Sequence, residues 1–418
     1  MTQVQETPLP RTALDRQDER LRSEAGFGGA MRAFGSRVRS GDLGALPVVV
    51  GLVLIAVIFQ SLNSLFLSSR NLVNLTLEAS SVGVIALGIV CVLLVGEIDL
   101  SVGSVSGLSA AITAVLFVQR GYPLWLTIII TLAVGAVIGL LYGMMFTRFG
   151  MPSFVATLAG LLGFLGLQLA VLGSSTSINI PFDSGLVTFA QQSFLPRPLA
   201  YVAAALVGLA VLATGYEQVR ARRNAGLSAR STTSLLVQAG SILIALELVV
   251  WYLNRTRGVA WMFVLFAVLV VAANYMFTRT KWGRSVFAVG GNVEAARRTG
   301  INVRRVYLSV FVACSTLAAL GGILAAARLG SANSASGTAD VNLNAIAAAV
   351  IGGTSLFGGR GSAYSALLGI LVISAISSGL TLLNLSSSIR FIITGLVLAL
   401  AVAVDALARK SRASSGRA

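Results

Sequence analysis

Histidine is absent from the 418 residues, and lysine occurs only twice, as Lys281 and Lys410. The first absence excludes imidazole general bases and histidine metal sites. The second bears on nucleotide chemistry. A phosphate-binding loop needs Gly-x-x-x-x-Gly-Lys-Ser/Thr, because backbone amides and the lysine hold the phosphates. Lys281 precedes Trp282, and Lys410 has no glycine in the six residues before it, so this chain cannot host that loop. Cysteine is also scarce. Cys91 and Cys314 both lie inside apolar runs and read as small buried hydrophobes, not as a disulfide or a metal pair. Charged residues make up 11% of the chain, and none forms the carboxylate pair or nucleophile–base arrangement that enzyme chemistry needs. No catalytic residue, metal site or cofactor is therefore expected on the chain itself.

What is present is apolar. Hydrophobic residues make up 56%, and the mean hydropathy is +0.86. A soluble globule could not hide that much apolar surface in one core, whereas lipid removes the need to hide it. Runs close to the roughly 20 residues needed to cross a bilayer recur along the chain. The fold class expected is all-α, a polytopic helical membrane protein. Spans are placed at 46–67, 72–95, 100–118, 123–147, 152–172, 199–217, 234–253, 259–278, 306–329, 343–357, 362–383 and 388–405. The count is twelve, or ten if some apolar runs are re-entrant. Residues 1–45 are polar, with seven arginines against six acids and no apolar stretch near Met1. They read as a disordered cytoplasmic tail rather than a cleaved signal peptide. The membrane domain then covers 46–405, with a cytoplasmic loop at 279–305 and a C-terminal tail at 406–418.

The net charge of +16 could suggest nucleic acid, but its distribution follows the positive-inside rule. With both termini cytoplasmic, 24 of the 31 Lys and Arg residues fall on cytoplasmic segments. The expected partner is lipid, in a cell membrane, and no nucleic acid is expected. The longest outer loop, 173–198, reads as a cap over the outer mouth or a contact for an outer partner, and equally as a plain connector.

Small residues mark helix contacts. Gly135, Gly139 and Gly143 recur every four positions, and Gly160, Gly163 and Gly166 every three, which lets backbones approach closely. A longer echo also appears. "VGEIDLSVGSVSGLSA" (95–110) aligns with "IGGTSLFGGRGSAYSA" (351–366) at a constant offset of 256, suggesting an internal duplication. Each copy reads as a break between two helices: a glycine ends one helix, and Asp99 or Ser355 three residues later caps the next.

The segment "FAVGGNVEAARRTGINVRRV" (287–306) concentrates charge between two spans. Gly290-Gly291 breaks the preceding structure and Asn292 is a good N-cap. Val293 to Thr299 makes two turns, and Gly300 suits the stop. Glu294 in the first turn and Arg297 and Arg298 in the last match the helix dipole. Val293, Ala296 and Ile301 form a small apolar patch rimmed by charge. A helix this short is unstable alone in water, so something must dock against it, a partner or the lipid headgroups.

Membrane acids are costly, so each invites a reading. Glu78 and Glu247 lie within spans, and together with Asp99 they would serve an ion-driven carrier. Asp405 reads as an interfacial anchor.

"GEIDLSVGSVSGLSA", "PSFVATLAG", "GGNVEAARRTGINV" and "IAAAVIGGTSLFGGRGS", in this order, resemble the permease subunit of bacterial sugar ABC importers of the ribose/xylose type. The similarity runs from about residue 70 to 405. The chain length and the extra pair of spans around "YEQVRARRNAGLSAR" (216–230) resemble the D-xylose permeases more than the shorter ribose permeases. The resemblance implies a permease dimer working with a cytoplasmic ATPase, which carries the ATP and Mg, and with an extracytoplasmic sugar-binding protein. It implies that 291–300 is the coupling helix, through Gly291, Asn292, Val293, Glu294, Ala295, Ala296, Arg297 and Gly300. Members often carry a small residue where this chain has Glu97 and Arg360. The function expected is import of D-xylose or a related pentose, with ribose, galactose or another sugar as the nearest rivals. The two breaks, through Glu97, Asp99, Ser101, Ser355 and Phe357, are the candidate translocation path.

Overall fold

The computed structural model describes residues 46–227, 229, 232–386, 388–396, 399 and 403. The expected tails, 1–45 and 406–418, and Asp405 lie outside the described residues. The chain begins with α1 (Leu46–Leu62), α2 (Ser69–Leu94), α3 (Val102–Ala114, continued by a wide π-type turn, Val115–Gln119), α4 (Leu124–Phe149) and α5 (Ser153–Leu172). After strand β1 (Ser177–Asn179) come α6 (Arg197–Asn224), α7 (Thr232–Leu253), α8 (Trp261–Arg279), α9 (Lys281–Gly291) and α10 (Val293–Arg298). Then follow α11 (Val303–Leu329), strand β2 (Ser331–Asn333), α12 (Ala339–Ile351) and α13 (Ala363–Leu382). Residues 388–396 are helical as well.

The polytopic all-α expectation holds. Among the described residues nine helices are long and apolar enough to cross a bilayer, and α1 and α12 are shorter apolar helices. The expected tenth span, 343–357, is corrected. Helix α12 has 13 residues, a rise of about 20 Å, short of the roughly 30 Å hydrocarbon core. It stops at Ile351, with Gly352 as its C-cap and Gly353 at φ +102° just beyond. The helix ends where the internal echo placed a break, and not where the apolar run ends. The twelfth expected span begins as a helix at 388, and most of its second half lies outside the described residues.

Helix α2 is the core element: every residue from Gly83 to Val95 is buried. The small residues of α11 allow it to lie against α2 and α3. A Cβ at Gly321 would strike Ile85, and one at Gly322 would strike the Ser106 backbone. On α4 the four-residue glycine stripe works as its spacing predicts. Gly135, Gly139 and Gly143 face α11 at Ala319, Phe311 and Leu308 in turn. The three-residue stripe of α5 does not. Gly160 meets the Tyr142 ring, but Gly163 and Gly166 look onto open space. That face of α5 carries exposed Leu158, Leu162 and Leu169, as α4 carries Trp125 and Ile129. Such surfaces suit hydrocarbon, which is as apolar as the leucines themselves.

Helices α6 and α7 form a separate compact unit, Leu195–Gly258. Gly208 sits against Leu243 and Gly215 against Leu235, so the hairpin closes on itself. The 173–198 loop is no plain connector. Its β1 pairs antiparallel with β2, and Leu186 and Val187 are buried. Gln168 of α5 donates to the carbonyls of Asn333 and Ser336, both at 3.0 Å.

The two glycine stripes therefore behave differently on substitution. Gly139→Ala places a methyl against the Phe311–Val312 backbone and costs roughly 1–3 kcal/mol. Gly163→Ala meets nothing and is neutral or stabilising by up to about 1 kcal/mol through helix propensity. Thermal unfolding of the two purified variants in detergent separates these outcomes.

Candidate functional site

The charged segment folds as its capping residues dictate. Asn292 Oδ1 accepts from the Ala295 N–H at 2.9 Å and opens α10. Arg297 Nη1 donates to Glu294 Oε1 at 2.8 Å, with both side chains exposed. Gly300 ends the element at φ +84°. Gly291, Asn292, Glu294, Ala295, Arg297 and Gly300 are exposed. The expected apolar patch, however, does not point outward. Ala296 is only 3% exposed, and Val293 and Ile301 are half-buried. The patch seats α10 on its own chain, and the surface it leaves free is the charged one with Ala295 in its middle. A short helix needs a dock, and here the rest of the fold supplies it.

One residue before that free surface, α9 reaches the two echoed segments. Gly290 packs so closely on the Leu94 carbonyl and on Gly359 that a Cβ would collide with both. The Gly359 N–H donates to the Leu94 carbonyl at 2.9 Å, joining the second break to the end of α2. A Cβ at Gly96 would lie 3.4 Å from the Phe357 carbonyl oxygen. The two breaks thus touch each other, and both touch the corner between α9 and α10.

The breaks are alike in chemistry but not as helix caps. Asp99 was expected to cap α3, yet Ser101 occupies the N-cap, without a side-chain cap bond. Asp99 Oδ1 instead accepts from the Ser101 N–H at 2.8 Å and the Ser101 hydroxyl at 2.7 Å. Ser355 likewise caps no helix, because α13 starts at Ala363 behind Ser362. Its hydroxyl oxygen accepts from the Phe357 N–H at 3.2 Å. Both are side-chain turns that hold the backbone two residues on. The constant offset of 256 also fails past the turns, since it would restart the second helix at 358. The second break is longer, and it leaves Phe357 64% exposed while Asp99 is 1% exposed.

Around the first break the fold adds partners that no local pattern announces. Ser153 donates to Glu97 Oε2 at 2.5 Å, and the Leu100 N–H donates to Thr157 Oγ1 at 3.1 Å, both from α5. Asn342 of α12 donates to the Leu100 carbonyl at 2.7 Å. Cys314 Sγ of α11 lies 3.7 Å from Asp99 Oδ2. Burial pushes the Glu97 carboxyl above the ordinary carboxylate range, and the Ser153 hydrogen bond pulls it back in part. The five candidate path residues therefore divide. Asp99, Ser101 and Ser355 are buried and Glu97 is half-buried, while Phe357 stands exposed.

Of the other acids, Glu78 accepts from the Ser377 hydroxyl at 3.4 Å, and Glu247 lies on α7 in the separate hairpin. Among the described residues no cluster of acids and thiols suits a metal ion.

Known proteins resemble this chain in sequence over most of its length. The xylose transport system permease protein of Escherichia coli strain K12 is 34% identical over 377 residues, covering 90% of this chain and 95% of that protein. The protein of the same description from Haemophilus influenzae is 33% identical, covering 87% and 97%. The ribose import permease protein of Escherichia coli strain K12 is 31% identical, covering 85% and 91%. No solved structure gives a significant match. Residues 71–402 match the family described as branched-chain amino acid transport system / permease component, so the segments that meet at the α9–α10 corner lie wholly within the match and the chain belongs to that family of transport permeases.

Proposed function

We propose that the chain is the membrane permease of an ATP-driven importer of D-xylose or a related pentose, worked by a separate ATPase through α10. The observation that carries this reading is the corner itself. The exposed charged face of α10 is continuous with α9, whose last glycines wedge between the two helix breaks. Force applied to α10 therefore reaches both breaks through backbone contacts rather than through flexible side chains. Nucleotide chemistry belongs to the partner, which brings ATP and Mg, because the chain has no phosphate-binding loop. Two copies of the permease form the path, and a sugar-loaded binding protein docks on the side opposite α10. Both termini and α10 are cytoplasmic, as the distribution of Arg and Lys favours. The family description speaks of branched-chain amino acids, but the similar proteins above carry xylose and ribose in their names, and this favours a sugar.

Three outcomes follow. Ala295→Trp fills the exposed face of α10 without touching the buried seat of Ala296. Uptake by the assembled complex then falls roughly 5–150-fold, a coupling loss of about 1–3 kcal/mol, while thermal unfolding is unchanged. Undiminished uptake removes α10 from the coupling role. Glu294→Cys is labelled by a membrane-impermeant maleimide only after the cells are permeabilised, and labelling of intact cells reverses the orientation. Uptake of radiolabelled D-xylose into proteoliposomes is not competed by leucine, and the converse result makes the cargo an amino acid.

A further inference from the structure

An open cleft lies between α12, α13 and the helical segment 388–396. Its register follows from two close glycine contacts. A Cβ at Gly369 would strike the Ala348 carbonyl, and one at Gly352 would strike the Ser365 carbonyl. Helices α12 and α13 therefore run antiparallel, with Asp340 level with Ser377 and Asn344 level with Ile373. Arg390 Nη1 donates to Thr381 Oγ1 at 3.2 Å. Its guanidinium thus sits one turn beyond Asp340, toward the C-terminal end of α13.

The charges of the cleft are unmatched within the chain. Asp340 is exposed, and among the described residues its carboxylate enters no ion pair. Ser377 gives its hydroxyl hydrogen to Glu78 Oε1 at 3.4 Å, and so offers Asp340 none. Arg390 has a buried Nε without a partner. An acid on α12 and a base on 388–396 border one cleft and do not meet.

Lipid is a poor cover for this face. Helix α13 has 20 residues, about 30 Å, the thickness of the hydrocarbon core. Asp340, level with a residue five short of the end of α13, lies about 7 Å inside that length. Acyl chains satisfy neither an exposed carboxylate at such a depth nor Asn344 and Thr394 beside it. The cleft also carries large apolar side chains, Leu343 at 50% and Phe391 at 56% exposure, which suit a protein cover.

We propose that a second copy of the chain docks on this cleft, an inference that rests on the two-copy reading above and gives it an interface. A two-fold axis running along the cleft sets α12 of each copy opposite 388–396 of the other. Such symmetry makes every contact twice, so Asp340 of each copy meets Arg390 of the other. The offset of one turn, about 5 Å, is within the reach of an arginine side chain. Within one copy the width of the cleft adds to that offset. Charge self-complementarity thus selects a second copy over any partner of one sign.

Charge reversal in the assembled complex tests the pairing, with two differently tagged copies and thermal unfolding as the control. Asp340→Arg in both copies, or Arg390→Asp in both, sets like charges opposite and lowers capture of one tag with the other roughly tenfold. One copy of each variant, co-expressed, restores opposite charges across the axis while each copy keeps like charges within itself. Capture then returns to within about threefold of the unaltered chain. No rescue in the mixed pair overturns the proposal, as does capture that neither reversal changes. Where a reversal unfolds the chain, cross-linking in native membranes decides. Cys91 and Cys314 are buried, so chains carrying Asp340→Cys and Arg390→Cys present only the new thiols, and a short bis-maleimide joins them. Failure to join, or joining instead through Val137→Cys on the exposed face of α4, overturns the cleft interface. A single copy in the unaltered complex overturns the two-copy reading as well. Two copies that withstand both reversals overturn the cleft alone.

Discussion

A helix that breaks inside or beside a bilayer frees backbone groups that lipid cannot satisfy, and this constraint organises the structure. The chain breaks in this way twice, after Leu94 and after Ile351. Each break is stabilised by the other and by neighbouring helices. The Gly359 amide takes the Leu94 carbonyl, Asn342 takes the Leu100 carbonyl, and Thr157 takes the Leu100 amide. The first of these bonds joins the two breaks and would not survive if either moved alone. The joint is therefore a single object assembled from distant parts of the chain, and α9 is wedged into it by Gly290.

Its construction explains why the acids of the first break behave as structure. Asp99 is buried with its carboxylate turned to Ser101 and Cys314, and Glu97 is held by Ser153. A carboxylate so enclosed costs much to leave unpaired, and its hydroxyl partners offset that cost. Glu78 is different. Its partner, Ser377, lines an open cleft between α12, α13 and residues 388–396.

Legibility from sequence followed the range of the interactions. The bounds of α10 were readable because Asn292, Glu294 and Gly300 act within a few residues of themselves. The α4 glycine stripe and the membrane-crossing helices were readable from periodicity and run length. The direction of the apolar face of α10 was not. A patch made of Val293, Ala296 and Ile301 serves a partner or its own chain equally well, and only tertiary packing decides. The roles of Asp99 and Ser355 as turn formers were hidden for a related reason, because the residues that cap helices also close side-chain turns. Ser153, Thr157 and Asn342 carried no signal at all, since their partners lie tens to hundreds of residues away.

The α11 helix runs 27 residues, about 40 Å, from beside α10 to the small ribbon of β1 and β2. Ile180 and Ser334 fasten that ribbon further, by bonds to Gly330 and Thr176. A rod so anchored is a lever with its fulcrum at the ribbon. A tilt of a few degrees at the anchored end becomes a displacement of ångströms at the other, and the reverse holds equally. Displacement at either end of this one strut is then passed to the other.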